Sequence, residues 1–406
     1  MFAAAADKPP HRPLATVETD SLDQFRGSEP PPLGDAQGDG REFNLWRLLN
    51  VQLRANGASK SQRVCCRRPI TGKNIQYTKS SKGEVQARNL FRCSSALCVM
   101  CGRTRASKFA TSVETAIKQN SIAGGKAFFV TLTVQTDKSK TIKKQYELLS
   151  KSYRDFSLAV RKRVVGADKS KKVGFSWSYD ITFKGDDFNP HLHIHSIFYT
   201  SFDCSISQDD MFNLWEASVR KNSSNGYYVS NKAFYFDKIE TDSAASKYIS
   251  KLMKIGLEVG ATGFKNQGFM HLVQSAETNK KAMRVYSEVL STFRNKCYNH
   301  IGIFASAIVK SFEAESNNNE TIQEEDTVLA ITVPNMLHGM LVDLTIIDAL
   351  FKSMRSMNNE RIISYFDMIS AFVDDNESTL GYEGMKNVIY EWVYDVFLSK
   401  DAIGSD

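Results

Sequence analysis

The sequence predicts an α+β fold: an antiparallel sheet with flanking helices, preceded by a Cys-rich segment and followed by a small, mostly helical acidic domain. Three observations carry that expectation. Short β-branched and aromatic runs alternate with longer runs of helical spacing across residues 126–294. Five of the seven cysteines fall between residues 61 and 106, among arginines. The charge is also split. Residues 311–406 hold 18 acidic against 5 basic residues, a balance of −13, while residues 1–310 hold 47 basic against 27 acidic, a balance of +20.

The elements follow in order. Residues 1–40 carry six of the nine prolines and are expected to be disordered. Residues 41–110 open with helical spacing over 44–53, then become a basic Cys-rich segment that reads as loop-dominated over 61–106, with a helix over 103–118. Residues 111–310 form the main domain. A buried strand is expected at 126–135, where Phe128, Phe129, Val130, Thr131 and Leu132 run together. Ile142, Tyr146, Leu149, Tyr153, Phe156 and Val160 mark a helix over 139–164. Strands at 174–183 and 192–200 flank a turn at 185–187. A helix at 208–221, a strand at 233–239 and helices at 242–255 and 276–294 complete the domain. Residues 311–326 read as an acidic linker, and 327–406 as the helical acidic domain.

With 406 residues, 42% hydrophobic and 24% charged, the chain has room for two or three domains. No apolar run reaches bilayer length and the N-terminus lacks a signal-peptide pattern, so the expectation is cytoplasmic, with no membrane partner. In that compartment clustered cysteines read as metal ligands before disulfides. Between Arg54 and Lys108, Glu84 is the only carboxylate. A basic bias of that extent points to a polyanion partner, and the acidic balance of 311–406 argues against DNA contact there.

Three of the seven histidines lie in Asn189-Pro190-His191-Leu192-His193-Ile194-His195. In a strand, His191, His193 and His195 share one face while Leu192 and Ile194 pack the other. Two imidazoles with a carboxylate make a site for a divalent metal that leaves positions open to substrate oxygens. A short turn would bring Asp180 of the preceding strand alongside. A second pattern is Tyr248-Ile249-Ser250-Lys251 on a predicted helix, where Tyr248 and Lys251 share a face. A phenol is a poor nucleophile until a cation stabilises its phenolate. Alone, Tyr-x-x-Lys is a pattern that any amphipathic helix supplies by chance. The third pattern is Cys93-x4-Cys98-x2-Cys101. With a fourth ligand from Cys65 or Cys66 it has the makings of a structural zinc site. Arg63, Arg67, Arg68, Arg92, Arg103 and Arg105 surround it as candidate phosphate contacts.

These three patterns, in this order, resemble the HUH endonucleases, specifically the single-tyrosine initiators of rolling-circle plasmid replication. Phe129-Val130-Thr131-Leu132-Thr133 matches the family's first motif. Asn189-Pro190-His191-Leu192-His193 matches its His-Pro-His-x-His motif with Asn189 in the first position, and Tyr248-Ile249-Ser250-Lys251 matches the third. The resemblance covers about residues 60–305. Asp180 stands where the family usually carries Glu, and Ala244 stands where some members place a water-activating Glu, with Glu240 and Asp242 nearby.

The resemblance implies an RRM-like palm and a DNA nickase-ligase. Tyr248 would be the nucleophile, assisted by Lys251 and by Mg or Mn on His191, His193 and Asp180, with His195 extra, and with Zn at the cysteines. The implied partners are single-stranded or cruciform plasmid origin DNA and host helicase or polymerase, with oligomerisation open. A transposase or relaxase with the same chemistry is the alternative within the class. A non-catalytic DNA-binding replication regulator is the alternative outside it.

Overall fold

The computed structural model describes residues 45–122, 124–135, 140–168, 170–185, 187–223, 229–239, 266–293, 297–302 and 327–398. The expected disordered N-terminus, the acidic linker and the helix over 242–255 lie outside the described residues.

The first helix, α1 (Leu45–Arg54), buries Trp46, Leu48, Leu49 and Val51 on one side, as its spacing requires. A one-turn helix, α2 (Lys60–Arg63), follows. Its capping box is complete: Ser59 Oγ accepts from Gln62 N, and Gln62 Oε1 accepts from Ser59 N. Between them, Gly57 lets the chain pass directly against a later helix. A Cβ there would sit 1.8 Å from the Ser287 carbonyl oxygen.

The segment over 61–106 is less loop-like than its composition suggests. Strands β1 (Ile75–Ser80) and β2 (Val85–Arg88) form an antiparallel hairpin there. The turn carries Gly83 at φ +80, a conformation that glycine adopts without cost. Helix α3 (Gly102–Ile122) follows.

The main sheet is antiparallel throughout. Its strands are β3 (Lys126–Thr133), β4 (Val173–Lys184), β5 (Asn189–Thr200), β6 (Tyr235–Ile239), β7 (Asn266–Gln267) and β8 (Tyr298–Gly302), in the order β6-β3-β5-β4-β7, with β8 also paired to β4. Strands β4 and β5 form a hairpin whose register runs from Val173↔Thr200 to Lys184↔Asn189, with Asp180 opposite His193. One face packs on helices. Helix α4 (Ile142–Val165) buries Leu149, Tyr153, Phe156 and Val160, and α5 (Gln208–Asn222) buries Met211, Trp215 and Val219. Both are capped by side chains, Thr141 accepting from Lys144 N and Ser207 from Asp210 N. Loss of either cap costs about 1 kcal/mol. Two further helices, α6 (Phe269–Ser275) and α7 (Lys280–Phe293), follow β7, and Phe293 packs on Tyr146 and Tyr179.

The elements expected as a C-terminal acidic domain do not stand apart from the Cys-rich segment. Strand β9 (Thr327–Val333) pairs antiparallel with β1, giving a second sheet in the order β2-β1-β9. Helices α8 (Asn335–Asp343), α9 (Ile347–Ser356) and α10 (Asn359–Val393) pack on it, the last broken at Gly381. Tyr77 of β1 lies buried against Phe351 and Phe366. The buried ammonium of Lys79 donates to Met357 O at 2.8 Å. Alternation along β9 buries Leu329, Ile331 and Val333. These apolar faces cover one another, so the Cys-rich segment and the C-terminal elements share a core. The described residues thus give an α+β architecture in the expected order: a Cys-rich segment, a central sheet with helices, and a helical C-terminal part.

Candidate metal centres

Strand alternation builds the first centre. On β4, Ser176, Ser178, Asp180 and Thr182 point to one face, while Trp177 and Tyr179 point to the α4 side. On β5, the rings of His191, His193 and His195 follow one another at centroid spacings of 5.4 and 5.3 Å. Asp180 and His193 are direct cross-strand partners, and His193 Nε2 meets Asp180 Oδ2 at 2.7 Å. The ligand atoms of Asp180, His193 and His195 all lie within 4.8 Å of one another.

The expectation of Asp180 with His191 and His193 is therefore corrected in one position, because His195 closes the set and His191 lies outside it. Asp180 has two diagonal neighbours on β5, His191 opposite Thr182 and His195 opposite Ser178. Sheet twist makes two such diagonals unequal, which a flat alternation pattern does not reveal. Here His195 Nε2 comes within 3.4 Å of Asp180 Oδ2.

The carboxyl of Asp180 is 1% exposed. Burial opposes its charge, but the imidazoles of His193 and His195 outweigh that and hold it well below the usual carboxylate range. An ionised carboxylate only accepts, so both Nε2 atoms donate to it. His195 Nδ1 lies 3.1 Å from Thr131 Oγ1 on β3, and its ring stacks on Phe129. Thr131 can accept as well as donate, so it also serves the tautomer that turns the His195 Nε2 lone pair toward a cation. Sequence reasoning placed Thr131 in a motif without giving it this role. Two imidazoles and one carboxylate on a rigid hairpin fit a divalent ion with open positions.

The second centre joins two loops. Sγ of Cys65 lies 3.4 Å from that of Cys101 and 3.6 Å from that of Cys98, and Sγ of Cys93 lies 3.9 Å from that of Cys101. Those four sulfurs form one cluster. Cys65, not Cys66, therefore supplies the fourth thiol. Cys66 sits at φ +56 with its sulfur 3.7 Å from that of Cys65, and it accepts from Arg92 Nη1 at 3.0 Å. Hydrogen bonds from Cys65, Cys93 and Cys98 hold the Cys101 thiol far below its ordinary range, and bonding to Cys101 raises the other three. Four thiols drawn together within 4.8 Å of one another fit Zn.

The arginines divide. Arg67 is half-buried in an ion pair with Asp343 and a hydrogen bond to Asn50, so it ties α8 to the cysteine loop. The Arg63 guanidinium caps the turn at Ala58 O, 3.2 Å away. Arg68 and Arg92 are exposed. Arg105, on α3, lies near His300, whose pKa is lowered by burial and then by that guanidinium. The side chain of Arg103, and Tyr248 and Lys251 entirely, lie outside what the structure describes.

Among the described residues no helix is long and apolar enough to cross a membrane. No family model matches the chain, and no curated protein or solved structure matches it either. What stands is a chain with two side-chain clusters able to coordinate metal ions, a four-cysteine set and an Asp-His-His set, consistent with a metal-dependent, nuclease-like protein.

Proposed function

We propose that the chain is a metal-dependent endonuclease that nicks and rejoins single-stranded origin DNA in rolling-circle plasmid replication. The observation that carries this reading is the triad of Asp180, His193 and His195 on one sheet face of a strongly basic body. A divalent cation held there, Mg or Mn, would bind oxygens of the scissile phosphate and offset the charge that develops on them. The triad suits that task. Asp180 brings a single negative charge and the imidazoles none, so the ligand set does not neutralise a divalent ion.

The nucleophile in this reading is Tyr248, on the resemblance of Tyr248-Ile249-Ser250-Lys251 to the family's third motif. Its phenolate oxygen attacks phosphorus, the bond to the 3′ oxygen breaks, and a 5′-phosphotyrosine and a free 3′-OH result. Lys251 contributes positive charge for the phenolate. The ester keeps the bond energy, so the same site can rejoin strands. The cysteine cluster, as a zinc staple, would hold the basic segment in shape. Host helicase and polymerase are the expected protein partners.

The test is cleavage of end-labelled single-stranded DNA by the purified chain. Chelation is expected to stop nicking, and added Mn or Mg to restore it. Full cleavage in excess chelator would remove the metal from the reaction.

A further inference from the structure

A cleft of about 310 Å³ opens between α4 and the strands β4 and β8. It lies on the helix-covered side of the main sheet, because Trp177 and Tyr179 alternate with the Ser178 and Asp180 of the histidine side. Its walls are Trp177, Tyr179, Tyr153 and the exposed Ile301, and its rim carries Lys151 and Arg154. The volume is at the low end of the ~300–1,000 Å³ usual for small-ligand pockets.

Three features of the cleft point to one chemistry. The ring of Tyr153 lies 4.8 Å from that of the half-buried Trp177, and the Tyr153 hydroxyl is already committed to Ser196 Oγ at 2.7 Å. The aromatic wall is therefore fixed in place. Lys151 and Arg154 are exposed and three residues apart on one face of α4. No acidic residue lines the cleft among the described residues. A flat aromatic surface with two cations at the rim and no carboxylate beside them matches a base with an attached phosphate.

We propose that this cleft binds one unpaired nucleotide of a single-stranded nucleic acid, the base against Trp177 and its phosphate between Lys151 and Arg154. The site is separate from the metal triad and does not depend on the chemistry assigned there. It would hold a stretch of strand that wraps the sheet edge away from the triad.

The experiment titrates the full chain with a short oligothymidylate and, separately, with dTMP, reading tryptophan fluorescence and affinity. Thymine has no strong emission of its own. Oligothymidylate is expected to quench the wild type, and Trp177→Phe to abolish that quench. Lys151→Ala with Arg154→Ala, at two exposed positions that the fold does not need, is expected to weaken binding roughly tenfold and to reduce the salt slope by about 1.4. His193→Ala, which disables the triad, is expected to leave the quench intact. An undiminished quench in Trp177→Phe, or unchanged affinity in the double variant, would overturn the proposal. So would loss of the quench in His193→Ala, which would put the base on the histidine face. Binding of dTMP as tight as the oligonucleotide would also overturn it, because the ligand would then be a free nucleotide.

Discussion

Asp180 and His193 face each other across the β4–β5 hairpin as register partners, with His193 Nε2 donating to Asp180 Oδ2 at 2.7 Å. Both positions are set by strand pairing rather than by a loop, so the two ligand atoms are preorganised. His195 joins them from the next position on the same face, held through Nδ1 by Thr131.

That geometry ranks the histidines. Asp180→Asn, His193→Ala and His195→Ala are each expected to abolish tight Mn binding, while His191→Ala weakens it less. Thr131→Val keeps the shape but removes the hydrogen bond to His195, with an expected loss of about 10- to 100-fold in affinity. Calorimetric titration with Mn checks the order. His191→Ala as damaging as His195→Ala would show that the ion sits on the other diagonal.

The cysteines divide in the same way. One zinc per chain is expected, bound by Cys65, Cys93, Cys98 and Cys101. Cys65→Ser should release it and lower thermal stability, because the sulfurs tie the 65–66 and 93–101 loops together. Cys66→Ser should keep the zinc, since its sulfur is turned to Arg92. Elemental analysis of both variants decides. Zinc retained in Cys65→Ser and lost in Cys66→Ser would reverse the assignment.

His338 gives a pH dependence with a defined sign. It is fully buried, its Nδ1 accepting from the Tyr77 hydroxyl and its Nε2 donating to the Cys66 carbonyl, both at 2.8 Å. Burial, aided by Arg67 and opposed by the Cys66 carbonyl, pulls its pKa down from 6.5 to about 4. The folded state therefore refuses a proton that the unfolded chain accepts. The stability this residue contributes is complete above about pH 6.5 and is lost as pH falls toward 4, a change of about 3 kcal/mol. Denaturant unfolding across that range should show a steeper loss for the wild type than for His338→Gln. Equal slopes in the two proteins would contradict the assignment.

The parts of the site that depend on local order were legible in the sequence. Alternation placed the three histidines on one face, and a short turn placed Asp180 beside them. The choice of His195 over His191 was not legible, because it depends on sheet twist and side-chain direction. The choice of Cys65 over Cys66 depends on a left-handed φ at Cys66, which no residue-type preference announces. The β1–β2 hairpin had a signal in the alternation around Tyr77 and in Gly83, but the density of Cys and Arg around it reads as loop. The pairing of β1 with β9 joins segments far apart along the chain. Charge balance separates them, and only their apolar faces, Tyr77 on one and Ile331 on the other, bring them together.

The most direct measurement is covalent adduct formation on a randomised pool of labelled single-stranded DNA, with Mn present. The wild type is expected to give a 5′-phosphotyrosyl adduct whose peptide contains Tyr248. Tyr248→Phe is expected to give none, and the paired change His193→Ala with His195→Ala is expected to give none at any Mn concentration. Adducts at wild-type yield in the paired histidine variant would contradict the assignment of strand cleavage to the Asp180-His193-His195 centre.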